Sequence, residues 1–546
     1  METPEETLMH QIRKITGKNF EVLEVTVDKR ETSLDLLRAA AETGGNHLGH
    51  GWSQIVVFDV KMFVPAQNAH NLMKVLEHRH ISARPPLMDR PGVDHAYLGH
   101  RYEKIKWYKQ FPSYELTPTE PWMWAAHFPT RQRKKYEALL RLPPSEMFSR
   151  RKDHVRVHVK ADEVLFKDKP RPIAAVEPVE QLFIGPWIHA LMDRLHEDFS
   201  PQGPHTIRVG ERLVGVVYGG SRNEDSLSDF GISACNSHFD AVLIVQGDDG
   251  LLVYPRTGRA VEFDMSMMDQ SNGYEALKKE RQAMRHLGVP QEIVRRLKEI
   301  SKLPYLYVID CKKMGTGAIR LKRGDWVDQK GHPNGGCFRD TGGPNTCSGN
   351  TLVLIMVTLQ VFSENDGQLT ADGFGRFGFR VKMQYHSNWI GRATFLKGWW
   401  LPSNYGLRWV PLPSRLAKIG KRMGDFKRFY RDLTHQEAAR CIVAEGAKCY
   451  ATALHLPLLG DYVSVGLDFD RPVVREIERG TYKVAKGTVT PIFERPEMYI
   501  CQRYGVSEAE LFEARTMVRE LKYATFPVVL KHRVFKRLVG VDYLGK

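Results

Sequence analysis

Cysteine is scarce and unpaired in this sequence: seven, at positions 235, 311, 337, 347, 441, 449 and 501, are scattered through 546 residues with no Cys-x-x-Cys spacing. That pattern argues against a disulfide framework and against a structural zinc site, and the odd count suits reduced thiols in a cytosolic setting. Long apolar runs are missing too. The strongest, residues 352–362, falls short of the roughly 20 residues a bilayer-spanning helix needs and reads as a buried helix. The opening residues, Met1-Glu2-Thr3-Pro4-Glu5-Glu6, are acidic and polar, unlike a secretory signal. No internal repeat, low-complexity segment or long disordered tail stands out. Negative charge is in the minority: 79 Lys+Arg against 64 Asp+Glu leave a formal charge of +15 and a pI of about 9.3. This favours a polyanionic partner and says nothing about fold.

What is present is a globular, enzyme-sized chain of 62.6 kDa, large enough for several subdomains. Its most informative stretch is residues 242–254, where two apolar strand-like runs meet at Gly247-Asp248-Asp249. Alone, this is a hairpin signal, and a solvated turn and a metal site both remain open. Residues 261–270 add Asp264 at the end of another β-prone run and Asp269 five positions later. If the strand leaving Asp249 pairs with the strand entering Asp264, the midpoint falls inside Pro255-Arg256-Thr257-Gly258, which has the Pro and Gly of a tight turn. The register then sets Asp264 opposite Asp248 and Asp249, about 5 Å apart at the backbone. Three carboxylates at one sheet end suit hard divalent cations that bridge substrate phosphates. Two such ions about 4 Å apart clamp the attacking and leaving oxygens of a phosphoryl displacement. Calcium is a poorer fit, because the run from Asp264 lacks the Gly and Glu of an EF-hand loop.

The first 230 residues mix short strand-like and helical runs whose topology the sequence leaves open. Arg131-Gln132-Arg133-Lys134-Lys135 and Arg150-Arg151-Lys152 read first as solvated helix faces and second as an RNA track. His70, His78 and His80 read as surface or core histidines. Residues 231–270 are predicted β, 272–302 helix broken at Gly288, and 303–310 strand. A Gly-rich loop at 331–345 opens the apolar helix 346–362, and the polar loop 363–373 contains no hairpin. Strands are expected at 377–383 and 393–401. The remainder reads as mainly helical, with a basic amphipathic stretch at 415–431 and a Pro/Ser-rich linker at 401–414.

These residues together resemble the viral RNA-dependent RNA polymerases. Gly247-Asp248-Asp249 is similar to motif C and Asp264-x4-Asp269 to motif A. Thr341-Gly342-x3-Thr346-x3-Asn350 is similar to motif B, with Thr in place of the usual Ser. Lys167-Asp168-Lys169-Pro170-Arg171-Pro172-Ile173 resembles the basic motif F, residues 378–382 motif D, and Phe395-Leu396-Lys397-Gly398 motif E. The order is C, A, B instead of the usual A, B, C. The polar loop at 363–373 fills the place where the usual order would put the Gly-Asp-Asp hairpin. Such permuted palms occur in permutotetravirus and birnavirus polymerases, and keeping Gly-Asp-Asp brings this chain closer to the permutotetravirus type.

The resemblance implies an α+β right-hand polymerase with fingers, thumb and a permuted palm. It divides the chain into an N-terminal extension and fingers (1–230), the palm (231–400, with a fingers insertion at about 275–335), and a thumb and C-terminal region (401–546). It implies Asp248, Asp249 and Asp264 as carriers of two Mg²⁺ or Mn²⁺ ions and Lys382 as the acid protonating the pyrophosphate. Asp269, Asn350 and Thr346 would meet the ribose, and Lys167, Lys169 and Arg171 the triphosphate. Thr341, Gly342, Gly343 and Lys397 would contact RNA. The expected partners are an RNA template, the nascent strand, NTPs and viral capsid or replication proteins, without a membrane span, in the host cytoplasm or packaged in the virion. A catalytically silent RNA-binding replication protein and a reverse transcriptase are the alternatives.

Overall fold

The computed structural model describes residues 22–25, 52–63, 65, 69–81, 95–160, 163, 165–311, 315–321, 326–327, 333–334, 339–419, 421–423, 433–469 and 487–545. In chain order, β1 (Val22–Val25), β2 (Val155–Val159) and β3 (Pro172–Ala175) precede the long helix α1 (Pro178–Asp198). Then come β4 (His205–Val209), β5 (Arg212–Tyr218), α2 (Glu224–Asn236), β6 (Ala241–Gln246), β7 (Asp249–Tyr254) and β8 (Arg259–Ser266). Helices α3 (Tyr274–His286) and α4 (Gln291–Ile300) lead to β9 (Tyr305–Cys311) and β10 (Gly315–Leu321). Helix α5 (Thr346–Glu364), β11 (Arg380–His386), β12 (Gly398–Ser403) and β13 (Gly406–Pro411) follow. The last part is largely helical, beginning with α6 (His435–Lys448) and α7 (Leu459–Asp468). The architecture is α+β.

Two sheets organise the site. One has six strands in the order β11-β8-β7-β6-β5-β4; the other has five, β1-β10-β9-β2-β3. β6 reads as a continuous apolar run because it is covered on both faces. Leu243 and Val245 pack in the core that contains α5, while Val242 and Ile244 pack with Trp389 and Trp400 on the other side. β8 alternates, burying Val261, Phe263 and Met265 and leaving Glu262 and Asp264 partly open. β11 closes the edge with exposed charge, Arg380 among it, which discourages pairing with another chain. Helix α5 is apolar all round because it is buried all round. On length and composition it could cross a membrane, but 83% of its most apolar window lies inside the protein.

The helix break at Gly288, the strand at 305–311 and the start of the apolar helix at 346 fall where the sequence predicts them. The 401–414 linker does not. Residues 401–411 belong to the β12–β13 hairpin, with Leu401 and Val410 buried, so Pro402 and Pro411 sit within paired strands instead of loosening the chain. The expected boundary at 401 accordingly falls inside β12. Part of the basic stretch 415–431 lies outside the described residues.

Candidate active site

Two residues, Gly247 and Asp248, join β6 to β7, and Gln246 pairs with Asp249. Gly247 has φ +62° and Asp248 has a negative φ, the pattern of a type II′ turn with Gly first. Asp248 therefore stands at the exposed tip. The Pro255–Gly258 turn sets the next register: Asp264 on β8 lies directly across from Asp249, so both carboxylates leave the same face of the sheet. Asp248 is tied to the same corner, since its carbonyl accepts the Met265 N–H at 2.9 Å. Helix α5 steadies the tip, the Gly247 N–H donating to Thr351 Oγ1 at 2.8 Å.

Negative charge accumulates here with little to offset it. Surrounding protein and then the Asp264 charge push the Asp248 carboxyl up to about 6; burial and then the charges of Asp248 and Asp264 push Asp249 up to about 8. Asp248 is exposed to water at the tip, yet enough protein surrounds the turn to penalise its charge. Lys382 stands opposite Asp264 across the β8–β11 ladder, its Nζ 3.2 Å from Oδ2, on a side chain 74% exposed. Among the described residues no three His, Cys, Asp or Glu side chains are already drawn together as a metal cage; Asp264 turns to Lys382. The donor set nevertheless fits a hard divalent cation: oxygen ligands only, excess negative charge, and an open side where phosphate oxygens and water complete the shell.

Asp269 is brought alongside by a sharp turn. Met267, at φ +52° and ψ +48°, takes the left-handed conformation that a long side chain adopts only under constraint, ending β8 and sending Asp269 toward α5. Asn350 on α5 donates from Nδ2 to Asp269 Oδ1 at 2.7 Å, and Asn272 donates from Nδ2 to Asn350 Oδ1 at 2.7 Å. The chain Asn272 to Asn350 to Asp269 fixes which way the Asn350 amide faces. Burial pushes the Asp269 carboxyl above its usual range, while Asn350, Arg339, Arg171 and Arg79 pull it back. Asn272, fully buried, is a residue that sequence reasoning missed: one asparagine before a helix carries no pattern.

The glycine loop before α5 docks on β3. Thr341 Oγ1 accepts the Ala174 N–H at 2.9 Å and faces the Pro172 carbonyl at 3.2 Å, while the Gly342 N–H donates to the Ala174 carbonyl. A Cβ on Gly342 would sit 2.6 Å from that carbonyl oxygen, so the close approach demands glycine. Gly343 sits in the same loop, its N–H bonded to the Asp340 carbonyl. The Thr346 hydroxyl is held by the carbonyls of Asp340 and Gly343, at the junction of loop and helix.

The basic residues divide. Arg171 is close enough for its charge to act on both Asp248 and Asp269, although its guanidinium is 3.2 Å from Glu163. Lys167 and Lys169 are exposed on the bend before β3. Arg79 acts on Asp269 as well, and no motif pointed to it. Lys397 donates to the Asp542 carbonyl at 3.0 Å and its charge reaches Asp249. Trp399 and Trp400 are wholly buried and belong to the core.

Fold and site thus define an α+β protein whose acidic hairpin precedes, by one tight turn, the acidic strand it pairs with. Viral RNA polymerases align with this chain. The insertion-loop deletion mutant of the RNA-dependent RNA polymerase of a human picorbirnavirus does so with TM-score 0.44 and 10% identity, over 86% of this chain and 85% of that one. The RNA polymerase VP1 from infectious pancreatic necrosis virus gives TM-score 0.39 and 10% identity, over 58% of this chain and 44% of that one. The birnavirus VP1-VP3 complex gives 0.39 and 11%, over 68% and 48%. The chain therefore spans less than half the length of these two birnavirus chains. No model of a known protein family and no curated protein matches the sequence.

Proposed function

We propose that this chain is an RNA-dependent RNA polymerase with a permuted palm, copying a viral RNA genome from NTPs. The observation that carries the reading is the cross-strand pairing of Asp249 with Asp264, with Asp248 at the adjoining tip and Asp269 held against Asn350 within the same corner. Asp248 and Asp264 would hold two Mg²⁺ or Mn²⁺ ions, with Asp249 in support, and the ions would supply the charge that stabilises a transferring phosphoryl group. Asp269, an acceptor, and Asn350, with donor and acceptor, suit a 2′-hydroxyl, which both donates and accepts. Arg171 faces this corner and would meet the triphosphate, with Lys167 and Lys169 on its approach. Lys382, exposed beside Asp264, would be released if cations took up that carboxylate, and would then give a proton to the leaving pyrophosphate. RNA strands, viral capsid or replication proteins, and a place in the host cytoplasm or the virion belong to the same proposal.

The test is incorporation of labelled NTPs on primed and unprimed RNA templates with Mg²⁺ or Mn²⁺. Template-dependent products that vanish in Asp248→Ala and Asp264→Ala are expected. RNA binding without incorporation would instead identify a catalytically silent replication protein, and preferential use of dNTPs a reverse transcriptase.

A further inference from the structure

The ribose-facing pair stands on a second layer that none of the sequence motifs includes. Glu280 on α3 and Arg339, two residues before Thr341, are 2% and 4% exposed. They form a two-pronged ion pair: Arg339 Nη1 donates to Glu280 Oε1 at 3.2 Å, and Nη2 donates to Oε2. The same Oε1 accepts Asn345 Nδ2 at 2.8 Å, and Arg339 Nη1 reaches the Asn345 carbonyl at 3.4 Å. One carboxylate therefore grips both ends of the loop. Helix α5 makes room for it at Gly349, where a Cβ would lie 2.2 Å from Glu280 Oε1 and 2.4 Å from Arg339 Nη1. The Arg339 N–H in turn donates to the Asp269 carbonyl at 3.1 Å.

Beside the loop lies a small recess of about 30 Å³, lined by Val176, Ile184, Leu277 and Leu297, by the loop's own Gly343 and Asn345, and by Glu280 and Arg339. Polar attachments set the loop's position: Thr341 and Gly342 on β3, and Arg339 and Asn345 on Glu280. Bidentate guanidinium–carboxylate pairing is well suited to this, because it fixes orientation as well as distance.

We infer that Glu280 and Arg339 are positioning residues for ribose discrimination. The clamp fixes Asp269 and the first turn of α5, hence Asn350, in one relative geometry, and preference for a 2′-hydroxyl depends on that geometry. This rests on the polymerase reading. A slipped clamp separates the acceptor on one segment from the amide on the other, while the acidic hairpin, attached through β6–β8, keeps its own register.

The test is primer extension on an RNA template by the full chain, comparing ATP with 2′-deoxy-ATP. The variants are Glu280→Asp, which keeps the charge but shortens its reach, and the double variant Glu280→Gln with Arg339→Gln, which leaves no charge stranded. The ratio of kcat/KM for ATP over 2′-deoxy-ATP is expected to fall about tenfold or more in both, mostly through a higher KM for ATP. A merely structural role would depress both nucleotides alike, and a ratio within about twofold of the parent's in folded variants overturns the inference. If the double variant does not fold, Glu280→Asp decides. A parent chain that extends no primer with any nucleotide overturns the polymerase reading, and the inference with it; a selective parent whose selectivity survives the substitutions overturns the inference alone.

Discussion

Two charged clusters, joined through Asp269, whose carbonyl accepts the Arg339 N–H and whose charge acts on Asp248, are built on opposite terms. At the hairpin, Asp248, Asp249 and Asp264 share one corner and repel one another, and Lys382, 74% exposed, pairs with Asp264. Around the glycine loop, Glu280 meets Arg339 and Asn345 in a buried network that uses both carboxylate oxygens. Like charges directly opposite each other weaken a sheet, so the first cluster lowers the stability of the fold that carries it. The second holds the fold in one arrangement. The contrast is that between a site shaped to receive positive charge and a frame shaped to admit no change.

The largest effect that could break this contrast is at the hairpin. Asp264→Ala and Asp248→Ala are expected to reduce template-directed incorporation about 10³-fold or more, the scale seen when a group stabilising the reacting centre is removed. Their thermal midpoints should stay level or rise, because a repelled carboxylate has gone. A midpoint that drops sharply would mean these carboxylates are structural. The frame should respond in the reverse sense. Glu280→Ala strands the Arg339 guanidinium and should cost about 3–5 kcal/mol. Arg376→Ala, from an exposed pair with Asp372, should cost about 1 kcal/mol or less. Urea unfolding of both variants, read at the first cooperative transition, compares them directly.

The two clusters also differ in how far the sequence announces them. The hairpin was legible because its causes are local: Pro255 and Gly258 set the turn, alternation along residues 259–266 sets the faces, and together they place Asp264 opposite Asp249. The Asp269–Asn350 contact was legible only through family resemblance, since 81 residues separate the partners. Glu280 was hidden. In Tyr274–His286 it sits in a run of Lys, Glu and Arg that reads as a solvated helix face, and its partner Arg339 lies 59 positions away. Lys167, Lys169 and Arg171 looked equivalent in sequence, yet Arg171 is the one whose charge stands among the main influences on Asp248 and Asp269; the bend before β3 that separates them has no strong local signal. The proline-rich 401–414 passage misled because prolines within strands and prolines in linkers look the same.

Glu224 is an intermediate case that sharpens the comparison. It is 8% exposed and accepts a hydrogen bond from Thr452, and burial pushes its carboxyl up to about 7. A folded-state value above the unfolded one means the folded chain keeps a proton that the unfolded chain has already lost. The contribution to stability is thus full below about pH 4.5 and is lost as pH rises through about 7, by at most about 3 kcal/mol. Glu224→Gln should flatten this part of the stability-versus-pH curve and stabilise the protein above neutrality. An unchanged slope between pH 5 and pH 7, to which the roughly 1.4 kcal/mol per unit of a single titrating group would otherwise contribute, would show that Glu224 titrates normally.

The smallest expected effect tests whether the hairpin's deficit of positive charge is real. A cation that binds the folded chain alone stabilises it by RT ln(1 + [L]/Kd), about 1.4 kcal/mol at tenfold excess over Kd. Titrating Mg²⁺ without nucleotide should therefore raise the thermal midpoint of the parent slightly and progressively. The rise should disappear in Asp264→Ala and persist in Glu280→Asp, whose hairpin carboxylates are intact. Equal shifts in all three would trace the stabilisation to diffuse screening of charge, which acts on the whole surface. A shift confined to chains that keep Asp264 would tie it to the carboxylates that the β7–β8 register brings face to face.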